Sequence, residues 1–368
     1  MEAGVKERRC SPKGIKNATL TPMKDTLLLP ADYREILGPR ETERAILRIK
    51  DYFQTNLAFE LNLVRVTAPL FVESGTGIND DLNGVERPVS FPVKHLSDRR
   101  AEIVQSLAKW KRMALADLGF EPGEGLYADM NAIRPDENPD NTHSLYVDQW
   151  DWELNILPEQ RNRAFLEKIV RKIYDVIRRT EKYICHEYEE LSHCLPEEIT
   201  FIHSQELLDR YPGLSPRERE LEACREYGAV FVAGIGAPLS DGKPHDGRAP
   251  DYDDWISETP EGLQGLNGDI LVYNRVLDMP FELSSMGIRV SPESLEKQLA
   301  AAGAENRKKL YFHRRLLGGE LPLSIGGGIG QSRLCMLYLQ KAHIGEIQSG
   351  LWPEEHVLRC REAGIHLL

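Results

Sequence analysis

The chain has 368 residues, of which 28% are charged and 41% hydrophobic. These values are ordinary for a soluble globular protein and exclude a disordered chain, a collagen and a membrane protein. The net charge of −12 argues against a protein whose main function is to bind nucleic acid, because such proteins usually have a positively charged surface. We therefore expect neither nucleic acid nor a membrane as a partner.

The N-terminal segment differs in character from the rest of the chain. It is basic and irregular up to about Thr26 and lacks the apolar core of a secretion signal. Six cysteines without a C-x-x-C pair do not form a disulfide scaffold and fit a protein with reduced thiols. We expect a flexible tail over residues 1–35, a single domain over residues 36–368 and a cytoplasmic location.

Apolar spacing predicts the elements of this domain. In chain order they are a helix over 44–57, a strand over 61–66, a helix or strand–helix join over 103–118, a hairpin over 131–153, a helix over 159–187, strands over 198–203, 229–233, 269–273 and 281–290, a helix from Ser291 to Gly303, and a helix opened by the glycine-rich run 326–333. The strands come in antiparallel runs with helices between sets, which favours an α+β domain built on an antiparallel sheet flanked by helices.

The second arm of the hairpin carries the first candidate binding residues. Strand alternation places Gln149 and Asp151 on one face and Trp150 and Trp152 on the other. The tryptophan face can pack, and the polar face can meet a ligand lying across the sheet. The alternative is a solvated hairpin with a charged turn.

The strand over 281–290 carries charges on an otherwise apolar segment. Burying Glu282 and Arg289 costs free energy unless each is paired. Simple alternation separates Glu282 from Ser285 and Arg289, so a shared site requires a bulge near the Ser284-Ser285 pair. The alternative is an edge strand with an exposed acid.

The glycine-rich run ends in Arg333 and opens a helix. Glycine lets a backbone approach a ligand closely, and a helix start favours anions. The run lacks the Lys-Ser/Thr ending of a P-loop, which excludes that motif. A glycine-rich turn without a ligand is the alternative.

Acidic residues cluster at Asp251, Asp253 and Asp254, with Asp269 further along. Carboxylates that lie close together repel one another unless a cation or an ammonium group is near. The cluster is therefore either a cation site or an acidic surface loop.

Taken in order, these segments resemble the catalytic core of class II aminoacyl-tRNA synthetases, especially the aspartyl and asparaginyl members. Residues 134–151 match motif 2, residues 326–333 match motif 3, and residues 40–69 resemble motif 1. A closer resemblance is to ammonia-dependent asparagine synthetases (aspartate–ammonia ligases). It runs from about Arg40 to the region of Trp352 through the segments 105–112, 123–127, 146–152, 249–255 and 281–289.

This resemblance implies a class II synthetase-like antiparallel sheet flanked by helices. It also implies that ATP, as co-substrate with Mg²⁺, activates the side-chain carboxylate of L-aspartate as β-aspartyl-AMP. Ammonia then gives L-asparagine and AMP, after pyrophosphate has left in the first step. Class II cores pair through motif 1, so by analogy we expect a homodimer that uses residues 40–69.

The resemblance also suggests roles for individual residues. Arg134 would stabilise charge on the α-phosphate and Arg333 would hold the terminal phosphates. Glu137 would contact the adenine end, and Asp269 and Glu282 would bind Mg²⁺ through the polyphosphate.

Aspartate carries three charges that the site must recognise. Its α-carboxylate is expected to meet Arg289 and Lys111, with the β-carboxylate turned towards ATP. Its α-ammonium would meet acceptors among Gln149, Asp151, Asp253 and Ser285. Ammonia is mostly ammonium near neutral pH, and Asp80 is the candidate general base that gathers and deprotonates it. A loop carboxylate that only shapes the pocket is the alternative for Asp80.

Three other functions fit the sequence less well. An aspartyl- or asparaginyl-tRNA synthetase is disfavoured because no basic anticodon-binding domain is visible. A non-catalytic amino-acid-binding paralogue would usually lose the motif arginines, whereas Arg134 and Arg333 are both present. A glutamine-dependent synthetase would need an N-terminal nucleophile, and residue 2 is glutamate.

Overall fold

The computed structural model describes residues 27–80, 82 and 86–368. The predicted tail is too long by several residues, because residues 27–35 pack against the domain. Leu27 is buried, the Tyr33 hydroxyl donates to Glu346 at 2.7 Å, and Lys341 donates to Glu35 at 2.8 Å. Residues 1–26 of the predicted tail lie outside the described residues.

A mixed sheet organises the described part of the chain, and most of its neighbouring strands are antiparallel. Its order is β1-β5-β6-β11-β10-β9-β8-β7, with parallel pairing only for β1 with β5 and for β7 with β8 among these strands. The predicted α+β class with a sheet flanked by helices is confirmed. The strands are β1 (Leu63–Arg65), β5 (Gly125–Ile133), β6 (Tyr146–Asn155), β7 (Thr200–His203), β8 (Ala229–Ala233), β9 (Asn267–Asn274), β10 (Met279–Ile288) and β11 (Ser324–Gly330).

A smaller antiparallel sheet, ordered β2-β4-β3, lies beside the loop that contains Asp80. Its strands are β2 (Phe71–Glu73), β3 (Ser90–Val93) and β4 (Arg99–Ile103). Because β4 ends at Ile103 and a helix begins at Ala108, the predicted strand–helix join over 103–118 is confirmed.

Helices cover the main sheet and close its core. They are α1 (Pro39–Leu61), α2 (Ala108–Asp117), α3 (Arg163–Glu187), α4 (Ser204–Arg210), α5 (Pro216–Tyr227), α6 (Pro292–Ala301), α7 (Tyr311–Leu317), α8 (Gln331–Tyr338) and α9 (Glu354–Glu362). None of the helices in these described segments is both long enough and apolar enough to cross a membrane.

The main core lies between α1, α3 and one face of the sheet. The predicted apolar face of α1 is buried there, including Ile49 and Phe53. Trp150 and Trp152 are fully buried in the same cluster, and the Trp150 ring lies 4.6 Å from that of Phe53 between centroids. Since strand side chains alternate, Gln149 and Asp151 project from the opposite face.

Candidate active site

A pocket of about 390 Å³ lies over the centre of the sheet, against β6, β10 and β11. It brings together all but one of the predicted site residues, namely Asp80, Lys111, Arg134, Glu137, Gln149, Asp151, Asp253, Glu282, Ser285, Arg289 and Arg333. Asp269 does not line this pocket. The sheet positions these residues because β6, β10 and β11 are direct neighbours.

The glycine-rich run is a central strand, β11, rather than a turn. Gly326 and Gly328 pair with Glu153 and Asp151 of β6. A Cβ at Gly326 would collide with the Glu153 carboxylate, and one at Gly328 would lie 2.5 Å from Oε1 of Gln149. The glycines therefore make room on the strand surface for the charged side chains of the neighbouring strand.

The start of α8 does not offer the anion site that the sequence suggested. The backbone N–H of Ser332, in the first turn of this helix, donates to the Asp148 carboxylate at 3.0 Å. The carboxylate of Asp148 therefore interacts with the N-terminus of α8, where an anionic ligand would otherwise bind. Arg333 serves the pocket through its side chain instead.

The predicted bulge in β10 is confirmed. The pairing of β10 with β9 shifts register between Glu282 and Ser284, next to the expected Ser284-Ser285 position. The extra residue breaks the alternation, so Glu282 and Ser285 both line the pocket together with Arg289. The alternative of an edge strand is wrong, since β10 has β9 and β11 on its two sides.

Arg289 occupies one end of the pocket in a buried cluster of charges. Its Nε and Nη2 donate to Glu153 at 3.0 and 2.9 Å, and its Nη1 donates to Asp253. Burial alone would lower the pKa of Arg289, but the carboxylates of Glu153 and Asp253 raise it above its ordinary value. The guanidinium is therefore a fixed cation whose orientation is set by two carboxylates.

Lys111 lies beside Arg289 and is fully buried. Its ammonium donates to Asp151 and, at 2.7 Å, to the Gly327 carbonyl. Burial and the nearby Arg289 lower the pKa of Lys111, although Asp151 opposes this shift. Burial also raises the pKa of Asp253 despite the neighbouring guanidinium.

The opposite end of the pocket gathers cations around Glu282. Nη1 of Arg333 lies 3.4 Å from Oε2 of Glu282. Burial would raise the pKa of Glu282, but Arg333, Arg248, His143 and Arg134 together lower it below its ordinary value. Such a concentration of positive charge around one carboxylate suits a ligand with several negative charges.

Two of these arginines have an N–H donor without an acceptor among the described residues. Among the described residues, the Nε groups of Arg134 and Arg248 are buried and have no hydrogen-bond partner. Leaving a buried donor unpaired costs about 1–3 kcal/mol, more when the group is charged. A bound anion would supply the missing acceptors.

Arg248 extends the site into an adjoining cavity of about 420 Å³, which Arg134, Glu137 and Glu282 also line. Arg248 forms an ion pair with Asp269, which lies on β9 directly opposite Ser285 of β10 and lines neither cavity. Burial, reinforced by the negative charge of Glu282, raises the pKa of Asp269 to about 7. Of the two predicted magnesium ligands, Glu282 lines both cavities and Asp269 lines neither.

In the ranges 27–80, 82 and 86–368, no group of three or more His, Cys, Asp or Glu side chains could hold a metal ion. Mg²⁺ with a nucleotide is usually bound by one or two carboxylates, with phosphate and water oxygens as its remaining ligands. A closed structural metal site is not formed by these residues.

Asp80 lies at the pocket wall and is only 3% exposed. The preceding Asn79 fixes its backbone, since Oδ1 of Asn79 accepts the N–H groups of Asp80 and Gln105 at 2.9 Å each. Asn79 also donates to the Ile103 carbonyl at 3.1 Å. The small sheet therefore holds Asp80 in place.

Sequence reasoning missed Glu153 and Arg248. Continuing the strand alternation from Gln149 and Asp151 by one more step would have placed Glu153 on the pocket face. Arg248 lies in a loop, where no periodic pattern marks it.

Comparison with known proteins agrees with this geometry. The model of the aspartate-ammonia ligase family matches residues 40–364. The curated aspartate–ammonia ligase of Bacteroides thetaiotaomicron is 58% identical over 93% of this chain and 99% of its own length. That of Clostridium perfringens is 56% identical over 94% of this chain and 100% of its own length.

Solved structures show the same fold at low sequence identity. Asparaginyl-tRNA synthetase from Pyrococcus horikoshii, complexed with asparaginyl-adenylate, has a TM-score of 0.62 and 17% identity, covering 85% of this chain and 70% of that chain. The enzyme from Entamoeba histolytica, also with asparaginyl-adenylate, has a TM-score of 0.62 and 13% identity, covering 84% and 66%. The class II synthetase-like fold is thereby confirmed, and the sequence identity places the chain in the aspartate–ammonia ligase family.

Proposed function

We propose that the chain makes L-asparagine in two steps on the pocket described above. ATP first converts the β-carboxylate of L-aspartate to β-aspartyl-AMP with loss of pyrophosphate, and ammonia then displaces AMP. The observation that carries this proposal is one pocket with paired charges at one end and an excess of arginine at the other. The synthetases with the same fold were solved with an aminoacyl-adenylate, which supports the intermediate by analogy.

The chemistry requires an activated acid. A free carboxylate does not react usefully with ammonia, because oxide is a poor leaving group, whereas AMP leaves readily. Arg134 can present its planar guanidinium to the α-phosphate and stabilise the charge that develops there. Its unpaired Nε supplies a donor for that purpose.

The remaining phosphates fit the cationic end. Arg333 can hold the terminal phosphates, and Arg248 provides a further donor from the adjoining cavity. Glu137 lines both cavities and can contact the adenine end of the nucleotide. When bound to ATP, Mg²⁺ would neutralise phosphate charge; Glu282 would hold it from the pocket wall, with Asp269 as the second candidate carboxylate.

Aspartate fits the paired-charge end. Arg289 and Lys111 can bind its α-carboxylate. Its α-ammonium can donate to acceptors among Gln149, Asp151, Asp253 and Ser285, which line the same pocket. When aspartate binds, its α-carboxylate and α-ammonium groups replace members of ion pairs that are already present in the pocket. Its β-carboxylate remains free to face Arg134.

Replacing Arg289 by lysine should raise the KM for aspartate by about tenfold or more, because the forked contact to two carboxylates is lost. The KM for ATP should stay nearly unchanged. Steady-state kinetics with each substrate varied in turn would measure both. A structure with asparagine whose side chain lies against Arg289 would contradict this orientation of the amino acid.

The product assay tests the proposed function as a whole. Purified protein is given L-aspartate, ATP, Mg²⁺ and an ammonium salt, and the nucleotide and amino-acid products are identified. We expect equal amounts of AMP and asparagine. ADP in place of AMP would indicate an acyl-phosphate ligase, and charging of added tRNA would indicate a synthetase.

The proposed homodimer would use residues 40–69, where large apolar side chains are exposed. Phe59 is 85% exposed and Val64 is 58% exposed, an arrangement typical of a surface that another chain covers. Replacing Phe59 by glutamate should shift the protein to a monomer in analytical ultracentrifugation. The matched change of Leu118, 60% exposed outside this segment, should not. A wild-type chain that sediments as a monomer would contradict the proposal.

A further inference from the structure

Lys109 lies on α2 two residues before Lys111 but faces a different space. Lys111 lines the substrate pocket, whereas Lys109 lines a separate cavity of about 270 Å³ on whose wall Asp80 also lies. Nζ of Lys109 is 4.0 Å from Oδ1 of Asp80 and 3.5 Å from Oδ2 of Asp251. Its side chain is 3% exposed, and it faces Asp80 without lining the substrate pocket.

Asp251 fixes the position of Lys109. It is fully buried and accepts from Nη1 of Arg307 at 2.8 and 3.0 Å and from Nε2 of His313 at 3.0 Å. Burial would raise the pKa of Asp251, but these partners and Lys109 hold it below its ordinary value. Asp251 is therefore a carboxylate that binds α2, α7 and the segment around Arg307 together.

The loop leading to Asp80 is attached to the same group of residues. The N–H of Tyr311, at the start of α7, donates to the Thr76 carbonyl at 3.0 Å. Gly77 packs so closely that a Cβ there would lie 2.8 Å from Cβ of Leu310 and 3.3 Å from Nδ1 of His313. A change at Asp251 would thus reach Asp80 both through Lys109 and through this loop.

We propose that Lys109 and Asp251 are positioning residues for the ammonia step, acting through Asp80. Lys109 faces both Asp80 and Asp251, so it can fix the carboxylate of Asp80. The negative charge of Asp251 offsets positive charge that would otherwise repel an ammonium ion near Asp80. The inference rests on the proposed role of Asp80 and adds two residues that touch neither aspartate nor nucleotide.

Asp251→Asn and Lys109→Met separate the two halves of the reaction. Asp251→Asn removes one negative charge beside Lys109 and Arg307, so the KM for ammonium should rise about tenfold or more. Lys109→Met removes the ammonium group that faces Asp80, so the maximal rate of ammonia transfer should fall about tenfold without an increase in the KM for ammonium. Aspartate-dependent exchange of pyrophosphate into ATP should change by less than about twofold in both variants, since the first step does not use Asp80.

Two further variants keep the test informative if folding suffers. Lys109→Arg keeps the charge and should restore most of the ammonia transfer. Lys341→Met removes another buried lysine with carboxylate partners, away from the pocket, and should not separate the two activities. Exchange and transfer that fall together, or unchanged ammonium kinetics in both test variants, would overturn the proposal. If the wild type shows no aspartate-dependent exchange, the proposed function fails instead.

Discussion

Replacing Arg134 by glutamine is expected to slow formation of the adenylate by about 10²–10³-fold, the usual cost of removing one donor that stabilises transition-state charge. Arg134 reaches the pocket from the hairpin, and within residues 27–80, 82 and 86–368 its side chain donates only to the Gln105 carbonyl, at 3.3 Å. Little in the folded protein therefore depends on its side chain. The loss should appear in the maximal rate of aspartate-dependent exchange between pyrophosphate and ATP.

The matched control is Arg225→Gln. Arg225 is an exposed arginine that pairs with Asp278 away from the pocket, and a surface pair of this kind contributes little to stability. Its replacement should leave the exchange rate nearly unchanged. An Arg134 variant that exchanges as fast as this control would remove Arg134 from the mechanism.

Replacing Asp80 by asparagine should impair the second step, ammonia transfer, and spare the first, whereas the Arg134 variant should lose the first step. Formation of the adenylate should continue, while transfer to ammonia should fall by about 10²–10⁴-fold, the range that general bases contribute. Asparagine has the size of aspartate but can neither attract an ammonium ion nor accept its proton. Pyrophosphate exchange measures the first step, and asparagine formation in a single turnover of the isolated adenylate complex measures the second.

Full synthesis by the Asp80 variant, with normal exchange, would leave Asp80 as a residue that only shapes the pocket. Loss of both activities would show that the change disturbs the site as a whole. Either result would end the assignment of Asp80 as the base.

Alternation along single strands predicted much of the site. It placed Gln149 and Asp151 on one face of β6, and both line the pocket. It also required a bulge for Glu282 and Ser285 to meet, and the shift in register is present. Such residues are predictable because the side-chain direction in a strand depends on local geometry alone.

Contacts between distant segments were harder to predict. The glycine-rich run resembles an anion-binding turn in sequence, but pairing with β6 and β10 makes it a strand. The ion pair of Asp269 with Arg248 joins β9 to a loop, and no spacing along the chain indicates it. Strand pairing and buried charge pairs depend on which segments meet in three dimensions, and a single sequence does not specify this directly.

We infer that the pocket cleaves ATP between its α- and β-phosphates to activate aspartate. Exchange of labelled pyrophosphate into ATP, with Mg²⁺ present and ammonia absent, tests this cleavage most directly. We predict exchange that requires L-aspartate and is lost in the Arg134 variant. Absence of aspartate-dependent exchange in a preparation that still makes asparagine when ammonium is added, with release of ADP, would contradict the account.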